Sequence, residues 1–599
     1  MRSAYRDKLN GILFLLFSPA AFLLLMECFL RNPFNEKWGM KPAMIIINLL
    51  FFYILESFLL GVTGSLRVAL YIEWCFALLF GLIDYYVYSF RGNTIVPWDL
   101  FSMKTAFSVA DNYSYIPERS AVIVILLFLA LGLLLTYCRL TIRKNLKLRL
   151  TLSLVSLLFL IFIYAPFVQS ENTVKRFKIY DKLFTPSTMS MRDGMVYAFI
   201  YDMKFLKVEK PSGYDENEVK RVLSEEYGSE GGSIKKTPVS EDTPNIIVIM
   251  CEAFSDPRVL SGFKTNKDYM PFIRSLINSP ATISGDLHVS VLGGNTPNTE
   301  FEFLTGNTMG FLPEGSIPFQ QFINSEVNAL PRDLGKLGYN TLAMHPYFAD
   351  GWDRDRVYPL LGFEKMRFLN YFKERDPKLI RKYVSDEALF NEIIEAYKEN
   401  GKTTPLFSFN VTMQNHSEYS GELLGFKPEI RLEGSDGDSL LERYLSLEKV
   451  TDNAFKDLIS YFDSIEDPTV IVFFGDHQPN DYVVEPVWNM NGISGKDLTD
   501  EERRRRYEVP FLIWANYSLE GSQGLEISAN YLGNLVLEAA GLELCGYRAF
   551  LNDEMKSCPV ISAVEETDSS GASKDMDKDD PALSLYRSMQ YYNMSSPAS

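Results

Sequence analysis

"TVIVFFGDHQ", Thr469–Gln478, sets six β-branched or aromatic residues in a row and then, after a single glycine, an aspartate and a histidine. A short unbroken apolar run of this kind reads as a strand buried on both faces. Such strands belong to parallel sheets covered by helices on either side. Ligands bind those sheets beyond the carboxyl ends of the strands. Asp476 and His477 fall there.

The same pattern recurs on both sides of this stretch. "NIIVIM" (Asn245–Met250) leads to Cys251 and Glu252, "YNTLAMH" (Tyr339–His345) ends on a histidine, and "PLFSFNV" (Pro405–Val411) is followed shortly by His416. "PFLIW" (Pro510–Trp514) is a further buried strand, and Ser385–Glu399 and Ser439–Ile465 have helical periodicity. Strands alternating with helices predict an α/β sandwich around a largely parallel sheet. The chain has only four histidines, and three of them follow strands. A glutamate and an Asp-His pair at converging strand ends form an oxygen-plus-imidazole donor set that suits Mn²⁺, Zn²⁺ or Mg²⁺.

One more segment carries chemistry. After the apparent strand Ser284–Leu292 comes "GGNTPNTEFEFLTG" (Gly293–Gly306), a Gly-Gly turn that opens a helix. Thr296 directly follows that turn, where backbone N–H groups and the helix dipole favour an anion. With a divalent cation beside it, a threonine hydroxyl loses its proton readily enough to attack phosphorus. Thr299 is the rival hydroxyl, expected at the cap or in the first turn, serving backbone N–H groups.

The first 168 residues are of another kind. Five apolar runs, Gly11–Leu30, Ala43–Val62, Val68–Phe90, Ala121–Tyr137 and Leu150–Val168, approach or reach the roughly 20 residues that a membrane helix needs. The first lacks a small-x-small cleavage site and reads as a retained span rather than a signal peptide. Arg139, Arg143, Lys144, Lys147 and Arg149 lie between the last two runs with no acid among them, which makes that loop cytoplasmic. Counting back puts the N-terminus inside, with Arg2, Arg6 and Lys8 in agreement, and five crossings deliver the rest of the chain outside. The outer loop Arg91–Ser120 contains "RGNTIVPWDLF", with Trp98 suited to the lipid headgroups.

The expected organisation is therefore a transmembrane domain over 1–168, a linker over 169–243, an extracytoplasmic catalytic domain over 244–558 and a disordered acidic tail over 559–599. "YGSEGGSIKK" (Tyr227–Lys236) is the flexible part of the linker. A net charge of −17 argues against nucleic acid as a partner. Cys545 and Cys558, 13 apart, are candidates for a disulfide in an oxidising space.

The five spans, the outer α/β domain and the motifs around Glu252, Thr296 and Asp476-His477 resemble the lipoteichoic acid synthase family, within the alkaline phosphatase and sulfatase superfamily. The resemblance implies that Glu252, Thr296, Asp476 and His477 hold one divalent cation, Mn²⁺ in that family, with Thr296 as nucleophile. It also implies a glycerophosphate pocket. "HPYFADGWDRDR" supplies His345, Trp352 and Arg354, and "VTMQNH" supplies His416. "NTPNTEF" lacks the cysteine and arginine of the sulfatase Cys-x-Pro-x-Arg motif, which disfavours sulfate-ester hydrolysis. One departure stands out: Tyr347 replaces the aspartate that such synthases carry two residues after the first pocket histidine.

The reading that follows is a multi-pass membrane phosphoglycerol transferase. It takes glycerophosphate from phosphatidylglycerol and passes it to a glycolipid or glycerophosphate-polymer acceptor such as lipoteichoic acid. Phosphoethanolamine transfer, phosphodiester hydrolysis and a catalytically silent envelope-binding protein are the alternatives.

Overall fold

A computed structural model describes residues 2–31, 39–91, 94–100, 117–179, 186–229, 233–235, 240, 242–313, 315–421, 423–434, 437, 439–495, 498–577 and 580–596. The chain divides into two units, one built on the residues up to Lys207 and the other from Val208 onward.

The first unit is helical. Its principal helices are α1 (Arg2–Leu30), α2 (Pro42–Thr63), α3 (Leu66–Arg91), α4 (Arg119–Leu135) and α5 (Leu146–Phe159). Among the described residues, four stretches, Leu9–Leu30, Pro42–Thr63, Leu66–Ser89 and Leu146–Gln169, are long and apolar enough to cross a bilayer. The remaining expected span, α4, has 17 residues. At 1.5 Å per residue that is about 25 Å, short of a hydrocarbon core of about 30 Å. α5 continues through a π turn, Leu160–Tyr164, into Ala165–Gln169. Pro166 offers no N–H there, so a widened turn is the expected local response. Ile46, Leu126, Leu133 and Phe162 are exposed. That is the inverse of a water-soluble helix, and it makes this a membrane protein.

The expected linker is largely ordered. α6 (Met195–Asp202) packs on the bundle through buried polar contacts. Glu27 accepts the Met195 N–H at 2.8 Å, at the positive end of the α6 dipole, and pairs with Arg31 at 2.9 Å. The Asn48 side chain donates to the Asp193 carbonyl (2.8 Å) and accepts from the Tyr197 N–H (2.9 Å). Gly194 turns the chain at φ 94°, so close that a Cβ would sit 2.4 Å from Asn48. Trp98, expected at the headgroups, is instead buried against Phe205 and Leu206. Residues 101–116 of its loop, and 230–232 and 236 of the glycine-rich segment, lie outside the described residues.

The second unit is an α/β sandwich. Its eight-stranded sheet contains β1 (Asn245–Cys251), β2 (Ile283–His288), β3 (Asn340–Met344), β4 (Lys365–Arg367), β5 (Leu406–Val411), β6 (Thr469–Gly475), β7 (Glu508–Ala515) and β8 (Ser522–Ser528), in the order β8-β2-β7-β6-β1-β5-β3-β4. All neighbours are parallel except β7, which runs antiparallel to both β6 and β2. Alternation along β1 splits its side chains between two cores. Ile246, Val248 and Met250 pack with Phe303 and Leu304 on one face, while Ile247, Ile249 and Cys251 pack with Leu445, Phe455 and Leu458 on the other. The edges β4 and β8 and the register of β7 were not anticipated from the sequence.

The tail is also ordered, contrary to expectation. Glu565–Thr567 pairs with Ser573–Asp575 in an antiparallel ladder, and a helix spans Ser584–Ser595. Tyr586, Met589 and Tyr592 pack with Val219, Val222 and Leu223 of the expected linker and with Phe550 and Leu551. The two apolar faces cover one another, so neither stands out as core in its own segment. Cys545 and Cys558 are free and bracket the helix Gly546–Ser557. A 12-residue helix is about 18 Å long, so the two thiols cannot meet.

His288 of β2 bonds Glu565 of the tail at 2.8 Å, both buried. Burial opposes the charged ring, but the Glu565 hydrogen bond and charge outweigh it and raise the His288 pKa. Glu508, Glu526, Asp286 and Arg504 surround the pair, and burial pushes Glu508 up to about 7. The ion pair contributes fully below about pH 6.5 and is lost as pH rises through the raised His288 value. Glu508 ionising in its buried place removes stability in the same direction. The melting temperature should therefore fall from about pH 6 to about pH 9. Glu565→Gln should flatten that slope; an identical slope in the variant would remove the pair as its source.

Candidate active site

β1 and β6 are adjacent and parallel, with Cys251 in register with Gly475. The residues that follow, Glu252 and Asp476, are thereby set side by side at the carboxyl edge of the sheet. The approach is tight. A Cβ on Gly475 would lie 1.9 Å from the Phe254 carbonyl oxygen, so only glycine fits before Asp476. Asp476 Oδ1 accepts the N–H of Ala253 (2.7 Å) and of His477 (2.8 Å), which fixes the carboxylate and leaves Oδ2 without a partner. His477 Nδ1 lies 2.9 Å from the Gln478 carbonyl, so Nδ1–H donates there and Nε2 presents its lone pair. Nε2 is also buried without a hydrogen-bond partner, 3.3 Å from Asp476 Oδ2 and 3.8 Å from Glu252 Oε1.

One ligand atom from each of Glu252, Asp476 and His477 falls within 4.8 Å of the others. Orphaned atoms on buried acids are costly unless a charge neutralises them. Burial first, then the nearby Asp476 charge, pushes the Glu252 carboxyl well above the usual carboxylate range. Two oxygen donors and an oriented imidazole fit a divalent cation.

Thr296 is the first residue of α7 (Thr296–Thr305), which opens at Asn295 in the left-handed region (φ 62°). Gly293, at φ 66°, donates its N–H to the Gln478 carbonyl and lies against Asn480, which ties the turn to the loop bearing His477. The Thr296 hydroxyl donates to Glu252 Oε2 at 3.4 Å and so borders the Glu252, Asp476 and His477 group. Thr299 does not cap the helix. Its hydroxyl donates to the Asp476 carbonyl at 2.8 Å, so it holds the loop that bears Asp476 and His477.

A pocket opens over this centre, lined among others by Glu252, Thr296, Trp352, His416, Tyr419 and His477. Trp352 and Asp353 are both left-handed (φ 58°), a strained turn that presents the indole. Burial, then the His477 charge, holds the His416 pKa down to about 3, and the ring sits 3.1 Å from the Tyr383 hydroxyl. His345 and Arg354 are not in the pocket lining. His345 bonds the Val411 carbonyl at 3.0 Å, and burial, then Arg354, keeps it neutral. Arg354 is buried with its fork on Glu300 of α7, Nε to Oε1 at 3.0 Å, while Tyr358 donates to the other Glu300 oxygen at 2.6 Å. The guanidinium still lends its positive charge to Glu252. The sequence reading missed Glu300 and Arg381. Arg381 is buried and donates to the Gln414 (2.6 Å) and His416 (2.8 Å) carbonyls. No spacing in the sequence marks either residue.

Residues 244–542 match the Sulfatase family model. The domain belongs to the sulfatase family. The chain is 31% identical over 369 residues to a protein of Rhizobium meliloti (strain 1021) named for cyclic beta-1,2-glucan modification, covering 60% of this chain and 54% of that one. It is 24% identical over 341 residues to lipoteichoic acid synthase 1 of Bacillus subtilis (strain 168), covering 56% and 49%. The chain thus spans about half the length of these curated relatives. Among solved structures, phosphoglycerol transferase GacH of Streptococcus pyogenes, in complex with sn-glycerol-1-phosphate, matches with a TM-score of 0.50 at 21% identity. That match covers 64% of this chain and 94% of the other, and it is a likeness of fold.

The two threonines separate experimentally. Asp476→Ala should lose most of its metal by elemental analysis of the purified protein. Thr299→Val should retain metal while losing about 1–3 kcal/mol of stability, the cost of an unpaired buried carbonyl. Metal content equal to wild type in Asp476→Ala would remove that carboxylate from the ligand set.

Proposed function

We propose that this protein is a membrane-anchored, metal-dependent phosphoglycerol transferase acting outside the cytoplasmic membrane. The observation that carries the reading is the Thr296 hydroxyl, set at a helix N-terminus beside Glu252, Asp476 and His477 in a sulfatase-family domain. Relatives named as lipoteichoic acid synthase and phosphoglycerol transferase support the transferred group.

Glu252, Asp476, His477 and Thr296 would hold the cation, Mn²⁺ by resemblance and Mg²⁺ or Zn²⁺ by donor type. When bound, it supplies positive charge that lowers the hydroxyl pKa and offsets charge on the phosphoryl group. Thr296 Oγ1 attacks the phosphorus of phosphatidylglycerol. The bond to the diacylglycerol oxygen breaks, and that oxygen leaves as an alcohol with the proton given up by Thr296. The α7 N-terminus favours the anionic phosphoryl group. An acceptor hydroxyl then attacks, the P–Oγ1 bond breaks, and the acceptor proton returns to Thr296. Trp352 and His416 wall the glycerophosphate side of the pocket.

The orientation rests on the basic loop Arg139–Arg149 and an odd number of crossings, which requires the shorter, 17-residue α4 to cross as well. A reporter joined after Asn217 should be active only on the outer side of the membrane; cytoplasmic activity would rule out access to an outer-leaflet donor.

Incubation with headgroup-labelled phosphatidylglycerol should give a glycerophosphoryl adduct on the peptide containing Thr296. Thr296→Ala should abolish both adduct and diacylglycerol release, a loss of at least about 10³-fold for a missing nucleophile. An adduct on Thr299, or labelling from phosphatidylethanolamine alone, would overturn the assignment.

A further inference from the structure

The loop 412–416 after β5 has two ends with different duties. At one end Thr412 accepts the Glu252 N–H at 3.0 Å, at the root of the Glu252, Asp476 and His477 group. At the other end His416 lines the pocket over Thr296. The loop is fastened from behind, on the face of the sheet opposite α7. There α8 (Asp386–Asn400) begins, and α9 (Leu440–Asp463) runs past it carrying Thr451.

The fastening is a closed set of buried polar side chains. Thr451 donates its hydroxyl to Asp386 Oδ2 at 2.5 Å. Its lone pairs receive Asn415 Nδ2 at 3.1 Å and Gln414 Nε2 at 3.2 Å. The Asp386 N–H donates back to Gln414 Oε1 at 3.1 Å. Thr412 is the other hydroxyl beside the carboxyl, whose Oδ1 closes no hydrogen bond. Cys251 of β1 is the titratable group that feels the Asp386 charge. The charged groups around the set are turned elsewhere. Glu448 and Asp452, on either side of Thr451, accept from the Ser255 (3.0 Å) and Ile273 (2.8 Å) N–H groups. Arg381 donates to the Gln414 and His416 carbonyls.

Burial pushes the Asp386 pKa up to about 7, against the hydrogen bonds of Thr451, Thr412 and Gln414, so above neutral pH the group is a carboxylate. A carboxylate can only accept, and it therefore fixes which way the neighbouring hydroxyls point. Thr451 turns its proton inward and keeps its lone pairs for the two amides. Thr412 has only Cys251 Sγ, a weak acceptor at 3.6 Å, as a rival target for its proton, so its lone pair stays with the Glu252 N–H. An amide at position 386 would set a donor against one of these hydroxyls and reverse it. Asp386 itself is absent from the pocket lining and from the Glu252, Asp476 and His477 group.

We propose that Asp386 is a positioning residue that aligns Glu252 through Thr412, and His416 through Thr451 and the adjacent amides of Gln414 and Asn415. The Glu252 half needs only a divalent-cation site. The His416 half rests on the transferase reading.

The test uses full-length protein in detergent at pH 8, stripped of metal and titrated with Mn²⁺. The same preparations, saturated with Mn²⁺, are then assayed for the Thr296 adduct from labelled phosphatidylglycerol. Thr412→Val should weaken Mn²⁺ binding about 10-fold and leave the KM for phosphatidylglycerol within about twofold. Thr451→Val should do the reverse, raising that KM about 3- to 10-fold for one lost hydrogen bond while Mn²⁺ affinity holds. Asp386→Asn, which keeps the size of the side chain, should do both. In the Thr412→Val background it should weaken Mn²⁺ no further, because its route to Glu252 is gone. Thr412→Ser, which keeps the hydroxyl, should bind Mn²⁺ as wild type does.

Additive losses of Mn²⁺ affinity in the double variant overturn the Glu252 half, and an unmoved KM in Thr451→Val overturns the His416 half. A fall in melting temperature with both Kd and KM unmoved in Asp386→Asn makes the residue structural and overturns the whole. Wild type that binds Mn²⁺ but forms no adduct overturns the transferase reading and the His416 half with it, while the Mn²⁺ titrations still decide the Glu252 half.

Discussion

Two carboxylates buried one strand spacing apart are the constraint around which the catalytic unit is arranged. The register of β1 with β6 sets Glu252 and Asp476 on neighbouring parallel strands, which lie about 4.8 Å apart. At that distance, out of water, both cannot ionise without a counter-charge. The backbone supplies part of it, through two N–H groups on Asp476 Oδ1. The remaining atoms, Asp476 Oδ2 and His477 Nε2, are buried without a hydrogen-bond partner. Moving either strand by one residue would turn one acid to the opposite face and dissolve the site.

Holding such a centre requires backbone that unconstrained chains avoid. Ala253 (φ 50°), Asn295 (φ 62°), Trp352 (φ 58°) and Asp353 (φ 58°) all lie in or beside the site, and each is a non-glycine residue in the left-handed region. At about 1–3 kcal/mol apiece, that strain persists only because the surroundings over-determine it. Around Ala253 the restraints can be named. Tyr444 donates to the Ala253 carbonyl at 2.7 Å, Glu448 accepts from Ser255 N–H at 3.0 Å, and Thr412 accepts from Glu252 N–H at 3.0 Å. A helix and a loop distant in sequence thus hold the strained turn after β1.

This explains which features the sequence discloses and which it hides. β1, β5 and β6 are buried on both faces, so their unbroken apolar runs and the residues that follow them are plain to read. The same logic pointed to Glu252, Asp476, His477 and Thr296, which the fold brings together. Arg354 was recognised by type, but its partner Glu300 is 54 residues away and nothing local announces the pair. The tail reads as acidic and polar because its apolar residues, Tyr586, Met589 and Tyr592, are spaced along one helical face. They become core only when Val219, Val222 and Leu223 arrive from more than 350 residues upstream. The expected disulfide failed for a simpler reason. Equal chemistry at two positions says nothing of geometry, and a helix lies between the thiols.

α7 shows how one short element serves the whole site. Thr296, Thr299 and Glu300 sit at i, i+3 and i+4, so they share one side of the helix. Each hands its polar group to a different piece of the centre. Thr296 turns to Glu252, Thr299 clamps the Asp476 carbonyl, and Glu300 anchors Arg354 from the turn that carries Trp352. The division of labour distinguishes the two hydroxyls. Thr299 already gives its proton to a buried carbonyl, and using it as a nucleophile would release the loop that positions Asp476. Thr296 makes one long contact of 3.4 Å and stands at the helix end where an anion is favoured. The same helix therefore provides the hydroxyl nearest the acids and the contacts that keep that hydroxyl aligned with them.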